Sequence, residues 1–144
     1  MSIEKLVEKQ LDDDMQCIDK FREYLLSHVS EKTANKHLSN IELYSHYHND
    51  YAYNKNDINS LDDMNSDLII NFLDSWVLRK TYPTSLYQLE SYISSFKKFH
   101  QWLVVKGVVS EKDNKKFVSD LKQEKPSIDK KWYKFLASNR QYIM

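Results

Sequence analysis

One glycine in 144 residues is the strongest constraint on this chain. Tight hairpins and many sheet connections need residues at positive φ, and glycine adopts that conformation without steric cost. With only Gly107, and with prolines only at positions 83 and 126, the chain cannot supply the turns of a β-rich fold. Helices joined by polar connections are predicted instead. Hydrophobic residues make up 41% and charged residues 29%, the balance of a globular chain rather than a disordered one. The length suits one ordinary domain that can bury a core without disulfides or metal.

Hydrophobic spacing predicts six helical segments. The first runs from Ile3 to about Ser27, with Leu6, Val7, Leu11, Met15, Ile18, Phe21 and Leu25 three and four apart on one face. The run Asp12-Asp13-Asp14 interrupts it, which leaves open two shorter helices. The second starts at Ser30 as N-cap and continues to about Tyr51, with Ala34, Leu38, Ile41, Tyr44, Ser45 and His48 inward. Residues 53–63 are rich in Asn and Asp and predict a loop. The third begins after Ser66 as cap and reaches Lys80, with Ile69, Phe72, Leu73 and Trp76 as its stripe. Pro83 breaks the chain. Thr84 or Ser85 caps the fourth, which buries Leu89, Tyr92, Ile93, Phe96, Phe99, Trp102 and Leu103. Lys106-Gly107 closes it with a cation and then glycine. The fifth opens on Ser110-Glu111-Lys112-Asp113, a capping-box pattern with Asp for Glu. Pro126 is expected to end it, and Ser127 to cap a sixth helix carrying Ile128, Trp132, Phe135 and Leu136.

Composition also narrows the setting. The lone Cys17 cannot form an internal disulfide, which points to a reducing compartment and a cytoplasmic protein. The acidic, amphipathic first residues do not read as a signal peptide, and no apolar run approaches the ~18 residues of a membrane span. The net charge is zero but unevenly placed. Residues 1–75 carry 7 Lys and Arg against 15 Asp and Glu, a balance of −8; residues 76–144 carry 14 against 6, a balance of +8. Such asymmetry marks a basic contact face, or two halves that pack and neutralise each other.

Catalytic and metal-binding patterns are absent from the sequence. One glycine cannot make a Gly-rich phosphate loop. Cys17 lies beside an acidic run that disfavours the thiolate. His46 and His48 are two apart, so on a helix they point to different faces. No cofactor, metal site or enzymatic activity is expected. Phosphate- and base-contacting residue types are better represented. Lys32, Thr33, Lys36, His37 and Asn40 recur at helical spacing on or near the exposed side of the second helix. Arg79 and Lys80 precede the fourth, which offers Ser85, Gln88, Lys97 and Lys98 among other polar residues. The same pattern fits a solvated helix face. Tyr44, Tyr47, Tyr51 and Tyr53 fit either a base-stacking platform or, with hydroxyls reaching outward, the edge of a core.

Several pieces, in order, resemble a known family. Phe21-Arg22-Glu23-Tyr24-Leu25, then Ser30-Glu31-Lys32-Thr33 leading to Leu38-Ser39-Asn40-Ile41-Glu42-Leu43-Tyr44, is similar to the start of the SAM-like core-binding domain of phage integrases and tyrosine recombinases. Met64 to Trp76 resembles that family's third helix. The run from Ser85 through Ser94-Ser95-Phe96-Lys97-Lys98-Phe99-His100-Gln101-Trp102-Leu103 to Lys106-Gly107-Val108-Val109 resembles its fourth. The resemblance covers about residues 12–109. It implies an all-α, compact orthogonal bundle of four core helices within residues 1–109, with residues 110–144 as a helical extension packed on it. It implies duplex DNA as the partner, held against the second and fourth helices. The residues it singles out are Lys32, Thr33, Lys36, His37, Ser85, Gln88 and Lys97.

The departures from the family bear on mechanism. Its catalytic domain supplies an Arg, a His-x-x-Arg and a nucleophilic Tyr. This sequence contains no His-x-x-Arg, and Arg140 and Tyr142 stand outside that context, so strand cleavage is not expected. The alternative function is a protein-interaction module that keeps the scaffold without binding DNA. Its partner would be a recombinase, or a second copy met through the last helix if Trp132 and Phe135 are exposed.

Overall fold

A computed structural model gives the backbone of residues 2–55 and 60–143, and the side chains of those residues except 3, 50–55 and 140–143. All regular structure among these residues is helical, as the glycine count predicts. The order is α1 (Ile3–Leu26), α2 (Glu31–Lys55), a 3-10 turn at Leu61–Asp63, α3 (Ser66–Asn71), a π-helical stretch at Phe72–Trp76, α4 (Val77–Thr81), α5 (Leu86–Val105) and α6 (Glu111–Ile143).

α1 is one helix, not two. Asp12 and Asp13 face solvent, where they cost the helix little, and Asp14 is buried. A buried carboxylate needs hydrogen-bond donors, and Asp14 has three. Gln10 Nε2 donates at 2.7 Å, Ser45 Oγ at 3.2 Å and Asn49 Nδ2 at 3.1 Å. The acidic run is therefore part of the joint between α1 and α2.

α2 runs to Lys55, beyond the expected end near Tyr51. Of the predicted 53–63 loop, residues 56–59 lie outside the described ones. Its far end is the 3-10 turn, capped by Ser60 with Asp63. Asn65, not Ser66, caps α3, its side chain accepting from Leu68 N at 3.0 Å. Ser66 Oγ instead donates to Asp120 of α6 at 2.8 Å.

α6 corrects the sequence reading most. The expected break at Pro126 is not there: one helix continues through it. Proline removes one backbone donor and crowds the preceding turn. Here Pro126 is exposed, so the unpaired carbonyl of the turn before it can be hydrated. On the other side Leu121, Ile128 and Trp132 stay in register in the core. Lys125 bridges to Asp129 across the proline at 3.1 Å. Tertiary burial outweighs the local preference.

The core is continuous across the expected boundary near residue 110. Phe72 is its centre, with Tyr44, Tyr47, Trp76, Tyr92 and Phe96 around it at centroid distances of 5.4 to 5.8 Å. Phe117, Leu121, Ile128 and Trp132 of α6 belong to the same cluster. The π-helical stretch makes the joint. Val77 N–H bonds to the Phe72 carbonyl, five residues back rather than four. The Leu73 carbonyl thereby loses its ordinary helical donor and instead accepts the Trp132 indole N–H at 2.7 Å. Trp132 is fully buried, so it cannot offer the exposed partner contact considered from the sequence. Phe135 is half-buried against Tyr82, with ring centroids 6.4 Å apart.

Candidate nucleic-acid interface

α2 and α5 pack side by side through core residues such as Tyr44 and Phe96, 5.4 Å apart, and a polar ladder accompanies these contacts. Asn40 Nδ2 donates to Ser91 Oγ at 3.0 Å and to Ser95 Oγ at 2.9 Å. His37 Nδ1 lies 2.7 Å from Ser95 Oγ. Ser91 and Ser95 sit four apart on α5, small enough to let α2 approach and polar enough to meet its side chains. Burial holds the His37 imidazole down to about pKa 4, and the positive charges of Lys36 and Lys98 push in the same direction. The two charges thus act on one ring from two different helices.

Both signs are exposed on these two helices: Glu31 and Glu42 on α2 and Glu90 on α5 stand alongside the lysines. Lys32 and Lys97 are exposed, and Lys36 and Lys98 are half-buried. The Lys98 ammonium is 6.0 Å from the Tyr24 ring centroid, which tethers its stem towards α1. Glu90, the one acid of α5, lines both depressions described next and pairs at 2.7 Å with Lys125 of α6, a cation it shares with Asp129. A shallow depression of about 340 Å³ runs along α5 past Ser94, Lys97, Lys98 and Gln101. A second, of about 270 Å³, joins Lys97 to Lys122 and Lys125 over a floor of Ile93, Val118 and Leu121.

The residues singled out in the sequence separate into three groups. Lys36, Lys97 and Lys98 lie near the α2–α5 seam, and Lys32 is exposed in the first turn of α2. His37, expected near the exposed side of α2, is instead turned inward and buried. Asn40, from the same set, is half-buried and spent on the seam. Thr33, Ser85 and Gln88 serve helix starts. Thr33 N donates to Ser30 Oγ at 3.2 Å, and Gln88 Oε1 accepts from Thr84 N at 2.7 Å and Ser85 N at 3.2 Å. Arg79 and Lys80 are exposed in the last turn of α4. The chain there reaches Tyr82, at a left-handed φ of 47°, and the Phe135 contact, so they border α6 rather than the seam.

Other chemistry-bearing groups are engaged elsewhere. Burial pushes the Cys17 thiol up to about 11, further from a reactive thiolate. Tyr44 and Tyr47 are core residues, so neither is open to a stacked base, and the Tyr51 and Tyr53 side chains lie outside the described ones. His46 is exposed and His48 buried, on different faces as their spacing requires. His100 stacks on Phe117 at 4.0 Å between centroids and meets Asn114 Oδ1 at 2.7 Å, which fixes the start of α6. Among the described residues no three His, Cys, Asp or Glu side chains converge as a metal site. No described helix is long and apolar enough to cross a membrane.

The two oppositely charged halves neutralise each other only in part. Lys106 meets Asp62 at 3.3 Å and Lys131 meets Asp74 at 3.2 Å. The remaining ion pairs among the described residues stay within the basic half, at Lys116–Asp120, Lys125–Glu90 and Lys125–Asp129.

No family model, no curated protein and no solved structure matches this chain.

Proposed function

We propose that this chain is a non-catalytic DNA-binding domain that lays the α2–α5 seam against the phosphates of a duplex, on a scaffold of the recombinase core-binding type. The observation that carries the reading is that the 2.7 Å contact of His37 with Ser95 and the bonds from Asn40 to Ser91 and Ser95 fix to each other the two helices that carry Lys36, Lys97 and Lys98. Phosphate contacts need cations at fixed positions more than a high net charge. The buried ladder of His37, Asn40, Ser91 and Ser95 supplies that rigidity by fixing the two helices to each other. The scaffold reading draws on the sequence resemblance in residues 12–109 and on fold class.

With few cations at the seam and a neutral chain, binding is weak at physiological salt and tightens steeply as salt is lowered. Fluorescence anisotropy on a labelled duplex at low salt tests this. Lys36→Glu with Lys98→Glu weakens binding by at least about tenfold, the order expected when two phosphate-neutralising cations become anions. Undiminished binding by that variant, or no binding by the parent protein at high micromolar concentration, would remove the proposal.

A further inference from the structure

We infer that α6 carries a second phosphate-binding rail that extends the footprint of the α2–α5 seam along the same duplex. The inference rests on the DNA-binding reading above but concerns a different element, outside the stretch that resembles recombinases.

α6 advances about 100° a residue. On that count Lys112, Lys115, Lys122, Lys130 and Lys134 fall within one arc of about 120° on the solvent side. All five are exposed, and none forms an ion pair among the described residues. The acids of α6 fall outside the arc: Glu111 and Asp129 at one edge, Asp113, Asp120 and Glu124 beyond the other. Asp120 and Asp129 are also held, by Lys116 and Lys125. A merely solvated helix face ordinarily intersperses both signs. Here an acid-free lysine ridge extends from Lys112 to Lys134, about 33 Å at 1.5 Å a residue, close to one turn of duplex.

Two features point to a nucleic-acid backbone as the occupant. A regular polyanion complements a row of unpaired cations that lacks any large apolar anchor, Tyr133 being the one exposed aromatic residue beside them. The ridge is also continuous with the seam, since Lys122 shares the α5–α6 depression with Lys97. The passage of α6 through Pro126 without a break keeps both ends of the ridge on one helix.

The test is anisotropy on a duplex of about three helical turns, over a series of salt concentrations. Three full-length proteins are compared: the parent, the variant Lys112→Ala, Lys115→Ala, Lys122→Ala, Lys130→Ala, Lys134→Ala, and Lys36→Glu with Lys98→Glu. The five-fold variant is expected to bind at least about tenfold more weakly, with a salt slope shallower by about 3 to 4, since each phosphate left without its lysine removes about 0.9 from the slope. Circular dichroism reports whether it keeps its helicity; if it does not, Lys112→Glu with Lys130→Glu replaces it. Parent-like affinity and slope would overturn the rail while leaving the seam standing. Weaker binding by the α6 variant alone would leave the rail standing and remove the seam. No binding by the parent would remove both. Displacement of the duplex by poly-glutamate at equal charge concentration would mark an acidic-protein surface and also overturn the rail.

Discussion

The Nδ1 atom of His37 lies 2.7 Å from the Oγ of Ser95, so a side chain of the proposed DNA-binding helix is locked into the seam that supports it. Burial, with the charges of Lys36 and Lys98, lowers the pKa of the ring to about 4, against an ordinary value of 6.5. Between these values the unfolded chain takes up a proton that the folded chain refuses. Stability therefore falls as pH drops from about 6.5 to about 4, by about 2–3 kcal/mol from this group. Burial lowers the His100 value too, which adds to the same trend. Urea denaturation at a series of pH values reads the slope, and His37→Gln should flatten part of it. A parent protein equally stable at pH 7 and pH 4.5 would contradict this.

Trp132 ties α6 to the π-helical stretch. Trp132→Phe leaves the Leu73 carbonyl without its 2.7 Å donor and opens space in a filled core. The missing bond and the cavity together should cost about 2–3 kcal/mol. Chemical denaturation measures the loss, and a change below about 0.5 kcal/mol would mean that the indole contact is not holding α6.

Pro126 stands exposed inside α6. Proline in a helix interior costs about 3 kcal/mol relative to alanine, and its stiffening of the unfolded chain returns up to about 1. Pro126→Ala should therefore stabilise the protein by about 1–2 kcal/mol and raise its Tm. A lower Tm for the alanine variant would show that the proline marks a boundary between two helices after all.

Much of the fold was legible because its signals are local. The glycine count, the caps at Ser30, Ser85 and Ser110, and the Lys106-Gly107 stop mark most helix limits within a few residues. Gln88, taken from the sequence as a DNA contact, could have been read instead as a cap, since Ser85-x-x-Gln88 is a capping pattern that commits it to the backbone. The fate of Trp132 could have been read from its register with Ile128 and Leu136. Other features depend on neighbours distant in the chain. Asp14 differs from Asp12 and Asp13 only because α2 brings Ser45 and Asn49 to it. His37 is turned inward because Ser95, 58 residues later, leaves room and a polar partner. Pro126 continues the helix because Leu121, Ile128 and Trp132 hold both sides of it in one core. In the candidate interface the sequence named the four seam lysines. It did not indicate that Glu90 would pair with Lys125 of α6, or that the α6 lysines would align.

The placement of duplex DNA along the α2–α5 seam is tested most directly by amide chemical-shift mapping of the labelled protein titrated with a duplex at low salt. The predicted result is a set of shifts clustered at Lys32–Asn40 and Ser91–Gln101, with a second set along Lys112–Lys134 from the α6 rail, that fades as salt is raised. Shifts confined to α1, or none with duplex in excess, would contradict it.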